Sequence, residues 1–118
     1  MEINGIAKLI RVFVGESDKV GRTPVYELIV KQAREAHLAG ATVYKGVLGF
    51  GPSARIRSSK ILDLSSDLPM VVEIIDEEQK IDEFIPTIQE LFEKADSGGL
   101  ITVEKVEVIH YVHRAAKS

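Results

Sequence analysis

Histidine is the side chain best suited to proton transfer or metal binding near neutral pH, and the 118-residue chain has three: His37, His110 and His113. His110 and His113 stand three apart in a segment that reads as strand. An odd spacing sends strand side chains to opposite faces, so these two cannot chelate one metal while both stay in regular strand. A third ligand for either is not identifiable, and no metal site is expected. His37 ends a helical stretch, where a cation complements the dipole. The carboxylates Asp76, Glu77, Glu78, Asp82 and Glu83 cluster where a second helix should begin. They read as a solvated, dipole-complementing helix start. Glu73 differs, because it lies within an apolar strand; edge residue, interface partner and ligand contact are all open to it. Ser58, Ser59, Ser65 and Ser66 have no histidine at an informative spacing, and no G-x-S-x-G elbow occurs. Walker A and G-x-G-x-x-G motifs are also missing. With no cysteine, disulfides, thiolate zinc sites and cysteine nucleophiles are excluded. No positive case for an enzyme emerges.

The elements that would position these residues read as follows. Ile6 to Val14 shows two mostly apolar faces at period two, with Ile6, Ile10, Val12 and Val14 on one and Ala7, Leu9 and Phe13 on the other. That pattern predicts a central strand covered on both sides. Thr23 and Pro24 predict an N-cap followed by proline at the first helical position. Val25, Leu28, Ile29, Ala33 and Ala36 continue at helical spacing, so Pro24 to about Leu38 is an amphipathic helix, with Gly40 as its C′ residue. Thr42 to Phe50 is a second strand, Gly51 to Asp67 a long loop, and Leu68 to Ile75 a third strand. A second helix follows with Ile81, Ile85, Ile88, Leu91 and Phe92 on its apolar face; Pro86 within it predicts a kink or a late start. After the turn Ser97-Gly98-Gly99, Leu100 to about Val112 is the last strand, with Lys105 marking a break or bulge.

The order is βαββαβ, the α+β ferredoxin-like pattern of an antiparallel sheet with both helices on one face. The opposite sheet face then needs cover for Leu9 and Phe13, and a second copy of the chain is the expected cover. Residues 1–118 read as one domain, with the long loop 51–67 and a short flexible tail from Arg114 to Ser118. The chain is 45% hydrophobic and 28% charged, which fits a globular domain rather than a disordered one. Its formal charge of −3 and seven aromatics without tryptophan argue against a nucleic-acid partner. The N-terminus lacks the basic and apolar regions of a signal peptide, and no apolar run approaches a membrane span, so a cytoplasmic location is expected.

The most informative stretch runs Gly40-Ala-Thr-Val-Tyr-Lys-Gly-Val-Leu-Gly-Phe-Gly51. Two glycines flank Phe50 where a strand enters the long loop. Glycines there permit positive φ and close approach of a ligand to backbone amides, or simply a bend. A second pair, Gly98-Gly99, opens the last strand. In a trimer-forming sheet the two turns would meet across a subunit boundary, where exposed amides can hold phosphate or ribose oxygens.

With these residues the chain resembles the PII family of trimeric nitrogen-signalling proteins and their PII-like relatives. The resemblance covers nearly the whole chain in element order. Its sharpest residues are Gly40, Thr42-Val43 and Gly49-Phe50-Gly51 before a long loop, Leu68-Pro69 and Glu73-Ile74, and Ser97-Gly98-Gly99-Leu100-Ile101. The run Thr42 to Gly46 and the overall length are similar to the short uncharacterised PII-like branch. The resemblance implies a homotrimer with an adenine-nucleotide pocket between subunits. It implies that Gly49, Phe50 and Gly51 form the loop base at that pocket and that Thr42 contacts base or ribose. It also implies that backbone near Val72 reads the adenine edge and that Gly98 and Gly99 offer amides to phosphate. The 51–67 loop would signal to a protein partner such as a membrane transporter, with Arg55, Arg57 and Lys60 presenting positive charge.

The chain also departs from the family. Pro52 and Ser53 stand where PII proteins carry arginine and glutamine, which argues against carrying over 2-oxoglutarate and magnesium binding and leaves both open. Gly99 replaces a phosphate-binding lysine, and His110 and Val112 replace a pair of arginines. Charge-assisted contacts dominate phosphate binding, so the loss favours AMP or ADP over ATP, and AMP most. Arg55, Arg57, His113 and Arg114 are the available partial substitutes. Tyr44 lacks the loop-tip context of the tyrosine modified in some PII proteins. Two other readings are a divalent-metal tolerance protein like the CutA family, which shares fold and trimer, and a nucleotide-acting enzyme.

Overall fold

A computed structural model describes residues 5–51, 55–60 and 67–112. Strand β1 (Gly5–Gly15) leads through a tight ribbon, β2 (Lys19–Val20) and β3 (Thr23–Pro24), into helix α1 (Val25–Glu35). Then come β4 (Thr42–Lys45), β5 (Leu48–Gly49), β6 (Arg57–Ser58), β7 (Pro69–Asp76), α2 (Glu78–Ala95) and β8 (Leu100–Val108). The main sheet has the order β4-β7-β1-β8 and every pair in it is antiparallel. With two helices connecting its strands, this is the expected α+β ferredoxin-like arrangement.

The register explains the core. Val12 pairs with Val72 on one side and Ile101 on the other, and Val72 pairs on with Val43. Cross-strand partners share a face, so one apolar row crosses all four strands. Ile10, Val14, Met70 and Ile74 extend this face, which packs on Val25, Ile29 and Ala33 of α1 and on Ile81, Phe84, Ile88 and Leu91 of α2. The α1 residues repeat every four positions and those of α2 alternate three and four, so each helix turns one stripe to the sheet. Fully burying an isoleucine contributes about 1.5–3 kcal/mol, and Ile10, Ile29, Ile74, Ile81 and Ile88 are all buried.

Several local expectations are corrected. Thr23 does not cap α1; it pairs with Val20 in the β2–β3 ribbon, and the N-cap position falls to Pro24 without a side-chain bond. The left-handed residue after α1 is His37 (φ 60°), not Gly40. The Leu38 amide donates to Ala33 and the His37 amide to Arg34, closing the last carbonyls before Gly40 is reached. Leu28 is only partly buried and Ala36 exposed, while Phe84 takes the central place in α2 that the spacing assigned to Ile85. Pro86 lies inside an uninterrupted α2, so it marks no late start. Its side chain is exposed, which leaves the carbonyl it cannot bond open to water.

The predicted strand Thr42–Phe50 divides. β4 ends at Lys45, and Leu48–Gly49 leave the main sheet to pair with Arg57–Ser58. At the division the Gly46 amide donates to the Pro69 carbonyl at 2.7 Å, and a Cβ on Gly46 would lie 2.7 Å from the proline ring, so only glycine allows this approach; Pro69 has no N–H with which to carry the ladder on. Lys105 forms no bulge, since β8 keeps one register with β1 from Leu100 to Val108. The strand stops at Val108, so His110 lies beyond it rather than within it. His113 and the 114–118 tail lie outside the described residues, as do Pro52, Ser53 and residues 61–66 of the long loop.

Candidate functional site

Beyond its edge strands, the sheet face opposite the helices carries a charged row. Arg11 on β1 faces Glu73 on β7 and Thr102 on β8. Its Nε donates to Glu73 Oε2 at 2.7 Å, and Nη1 donates to Glu104 on β8. Glu73 first and Glu104 second hold the Arg11 pKa above its ordinary value. Glu73 is therefore half of an ion pair, the role that its apolar setting left undecided. Around this row stand Leu9, Ile75 and Phe13. Leu9 is buried although no helix covers it, and Ile75 stays exposed.

At the Val108 end of this face lies a cleft of about 720 Å³, walled by Thr42 and Tyr44 on β4, Glu73 and Ile75 on β7, and Val106 and His110 on and after β8. The chain reaches the far side because Tyr111 donates its hydroxyl to the Ala39 carbonyl at 3.1 Å. The Ala39 amide in turn donates to Asp76 Oδ2 at 2.8 Å, and Asp76 Oδ1 accepts from the Glu77 amide at 2.6 Å. Asp76 is fully buried, so it is not a member of a solvated carboxylate cluster. It joins the α1–β4 connection to the start of α2. The remaining acids do meet solvent: Glu78 and Asp82 pair with Lys8 at 3.1 and 2.7 Å and raise its pKa, Asp82 more strongly.

The predicted nucleotide residues fall in separate places within one chain. Thr42 is exposed in the cleft. Val72 sits in mid-sheet between Val12 and Val43, its side chain in the core. Gly49, Phe50 and Gly51 begin the β5–β6 ribbon at the other end of β4, about 13 Å from Thr42 at ~3.3 Å per residue. Gly98 and Gly99 precede β8, whose Leu100 pairs with Phe13 near Gly15, and Gly15 pairs with Pro69. The two glycine turns thus share one end of the sheet but occupy opposite edges, about 14 Å apart across three strand spacings. A Cβ on Gly99 would lie 2.6 Å from the Phe92 ring, so packing against α2 alone requires glycine there. Gly49 also approaches Pro69, to 3.2 Å from a built Cβ, whereas Gly51 has open space.

Of the predicted loop cations, Arg57 pairs with Gly49 across the ribbon, Arg55 lies just before it, and the Lys60 amide donates to Ser58 Oγ. The cleft and the Arg11 row were missed by sequence reasoning. Glu73 in an apolar strand was the only signal for them, and its ion-pair partner Arg11 lies 62 residues away in sequence. Among the described residues no group of three histidine or carboxylate side chains is placed to hold a metal. No described helix is long and apolar enough to cross a membrane.

Known proteins agree with this architecture. CPII, a nitrogen regulatory PII-like protein from Thiomonas intermedia K12 solved bound to ADP, AMP and bicarbonate, superposes with a TM-score of 0.65 at 16% identity, over 87% of this chain and 88% of that one. A Thermus thermophilus protein described as PII-like signaling matches with a TM-score of 0.63 at 16% identity, over 91% and 94% of the two chains. At these identities the likeness establishes a PII-like fold. In sequence, a UPF0166 protein of Aquifex aeolicus (strain VF5) is 44% identical over 103 residues, 87% of this chain and 93% of the relative. A UPF0166 protein of Methanocaldococcus jannaschii is 32% identical over 102 residues, 86% and 91% of the two chains. Residues 7–108 match the family described as DUF190, uncharacterized ACR, COG1993, and the chain belongs to that family.

Proposed function

We propose that the protein is a non-catalytic, cytoplasmic regulator of PII-like type that binds an adenine nucleotide between copies of itself in a homotrimer. Residues 1–118 act as one unit, with residues 51–67 as its signalling loop. The observation that carries this reading is the placement of the glycine turns at one end of the sheet but on opposite edges. In a homotrimer the Gly49–Gly51 turn of one copy meets the Gly98–Gly99 turn of the next, and the ligand binds between them. The uncovered sheet face, with exposed Tyr44, Ile75 and Leu100, supplies apolar surface for such assembly. CPII, with the same fold, was solved with ADP and AMP.

Gly49, Phe50 and Gly51 form the base of the loop at the pocket, Thr42 and the backbone near Val72 take the base and ribose, and Gly98 and Gly99 face phosphate. The ligand acts by differential binding: it stabilises the loop arrangement that its contacts favour. The loop then engages or leaves a target protein such as a membrane transporter, with Arg55, Arg57 and Lys60 at the contact. AMP is preferred, because Gly99, His110 and Val112 supply none of the fixed cations that a triphosphate uses.

Calorimetry and thermal melts with AMP, ADP, ATP, cyclic AMP and divalent metals test the reading, with mass by light scattering. AMP at about one hundred times its Kd should stabilise the protein by about 2.7 kcal/mol and bind at one site per subunit of a trimer. Failure of every adenine nucleotide to bind overturns it, and turnover of a bound nucleotide overturns its non-catalytic part.

A further inference from the structure

One polar row crosses the sheet face opposite the helices from edge to edge. Thr42 on β4 pairs with Glu73 on β7, Glu73 with Arg11 on β1, and Arg11 with Thr102 on β8. Cross-strand partners share a face, with Cβ atoms about 4.5–5.5 Å apart. The row therefore brings Thr42 and Glu73 side by side, and both line the cleft.

Only half of the Glu73 carboxylate is engaged. Arg11 Nε donates to Oε2 at 2.7 Å, and Oε1 accepts from no described residue. The side chain is 25% exposed, so a ligand can reach that oxygen. Arg11 is itself anchored to Glu104 on β8, so Glu73 meets a ligand already oriented. The cleft is lined by Glu73 and Glu107 and, among the described residues, by no lysine or arginine. A phosphate placed there would face two carboxylates without a fixed cation. The cleft instead suits an uncharged group that donates hydrogen bonds to an acceptor-only carboxylate.

We propose that Glu73 is the acceptor for the ribose hydroxyls of the bound nucleotide and selects ligands that carry them. The inference rests on adenine-nucleotide binding and names the residue that reads the sugar. The vicinal 2′- and 3′-hydroxyls are two adjacent donors, and Thr42 and Glu73 are two adjacent polar side chains placed to meet them. Acidic side chains hold ribose hydroxyls in the same way in dinucleotide-binding folds. The sugar then occupies the cleft, and the phosphate points out of it toward the Gly49–Gly51 turn at the other end of β4.

The test is calorimetry on the full chain with AMP and with 2′,3′-dideoxy-AMP, which keeps base and phosphate and lacks both hydroxyls. AMP should bind at least about tenfold more tightly, because the analogue loses bonds to a charged acceptor. In Glu73→Gln, where the amide oxygen stays with Arg11, AMP should bind more weakly and the ratio should fall below about threefold. A purely structural role for Glu73 would not move that ratio. Glu104→Gln also touches Arg11 but lies outside the cleft, and it should leave the ratio unchanged. Failure of AMP to bind the parent protein overturns the nucleotide reading and this inference with it. AMP binding no tighter than the analogue overturns this inference alone. So does a Glu73→Gln protein that binds both ligands more weakly at an undiminished ratio, the result expected if the carboxylate took the amino group of the base.

Discussion

Asp76→Ala is expected to be the most damaging single change near the cleft. The carboxylate is fully buried and accepts two backbone bonds, from Ala39 at 2.8 Å and Glu77 at 2.6 Å. A hydrogen bond to a charged group contributes about 1.5–3 kcal/mol, and its removal leaves the donor without a partner. Glu77 is exposed, so water can reach its amide after the change. The Ala39 amide lies between α1 and β4 and has less access. The expected loss is about 3 kcal/mol for alanine and about 1–2 kcal/mol for asparagine, which keeps one acceptor. A loss of that size lowers the thermal midpoint of a domain of about 100 residues by about 10 °C or more. Urea unfolding at fixed protein concentration measures it, and amide exchange at Ala39 and Glu77 localises it. Exchange at these two amides should accelerate beyond the global change. A loss below about 0.5 kcal/mol, or an Ala39 amide as protected as before, would refute the assignment.

Two further changes probe the rest of the frame. Gly99→Ala places a Cβ 2.6 Å from the Phe92 ring and should cost about 1–3 kcal/mol; Phe92→Leu should recover most of it in a double-mutant cycle, and equal costs in both backgrounds would exclude the packing explanation. Lys8→Met removes an ion whose pKa is raised above 10.5, chiefly by Asp82 and then Glu78. A raised folded-state pKa contributes stability below the unfolded value and loses it as pH climbs through the folded one. Thermal melts should therefore show the parent more stable than the variant at neutral pH, with the gap closing above pH 10.5. A pH-independent gap would mean that the ion pair contributes nothing.

The main elements were legible because each carries a local period. Ile10, Val12 and Val14 alternate, Val25, Ile29 and Ala33 repeat every four, and their order already implies an α+β sheet with both helices on one side. The errors fall where a distant residue decides. The Thr42–Phe50 segment has strand composition throughout, yet the ladder with β7 stops at Lys45, next to Pro69, which has no N–H to continue it, and Leu48–Gly49 pair instead with Arg57–Ser58. Asp76 reads as a surface acid beside Glu77 and Glu78, and it becomes internal because Ala39, 37 residues away, offers an amide that only the fold brings near.

The sequence by itself determined the fold class, since that depends on residue types and local spacing. Tertiary structure alone decided that the two glycine turns occupy opposite edges of one sheet, that Arg11 joins Glu73 to Glu104, and that Gly99 is required by Phe92. Each depends on a close approach between residues far apart in sequence, and such approaches follow from register and packing that no local pattern encodes.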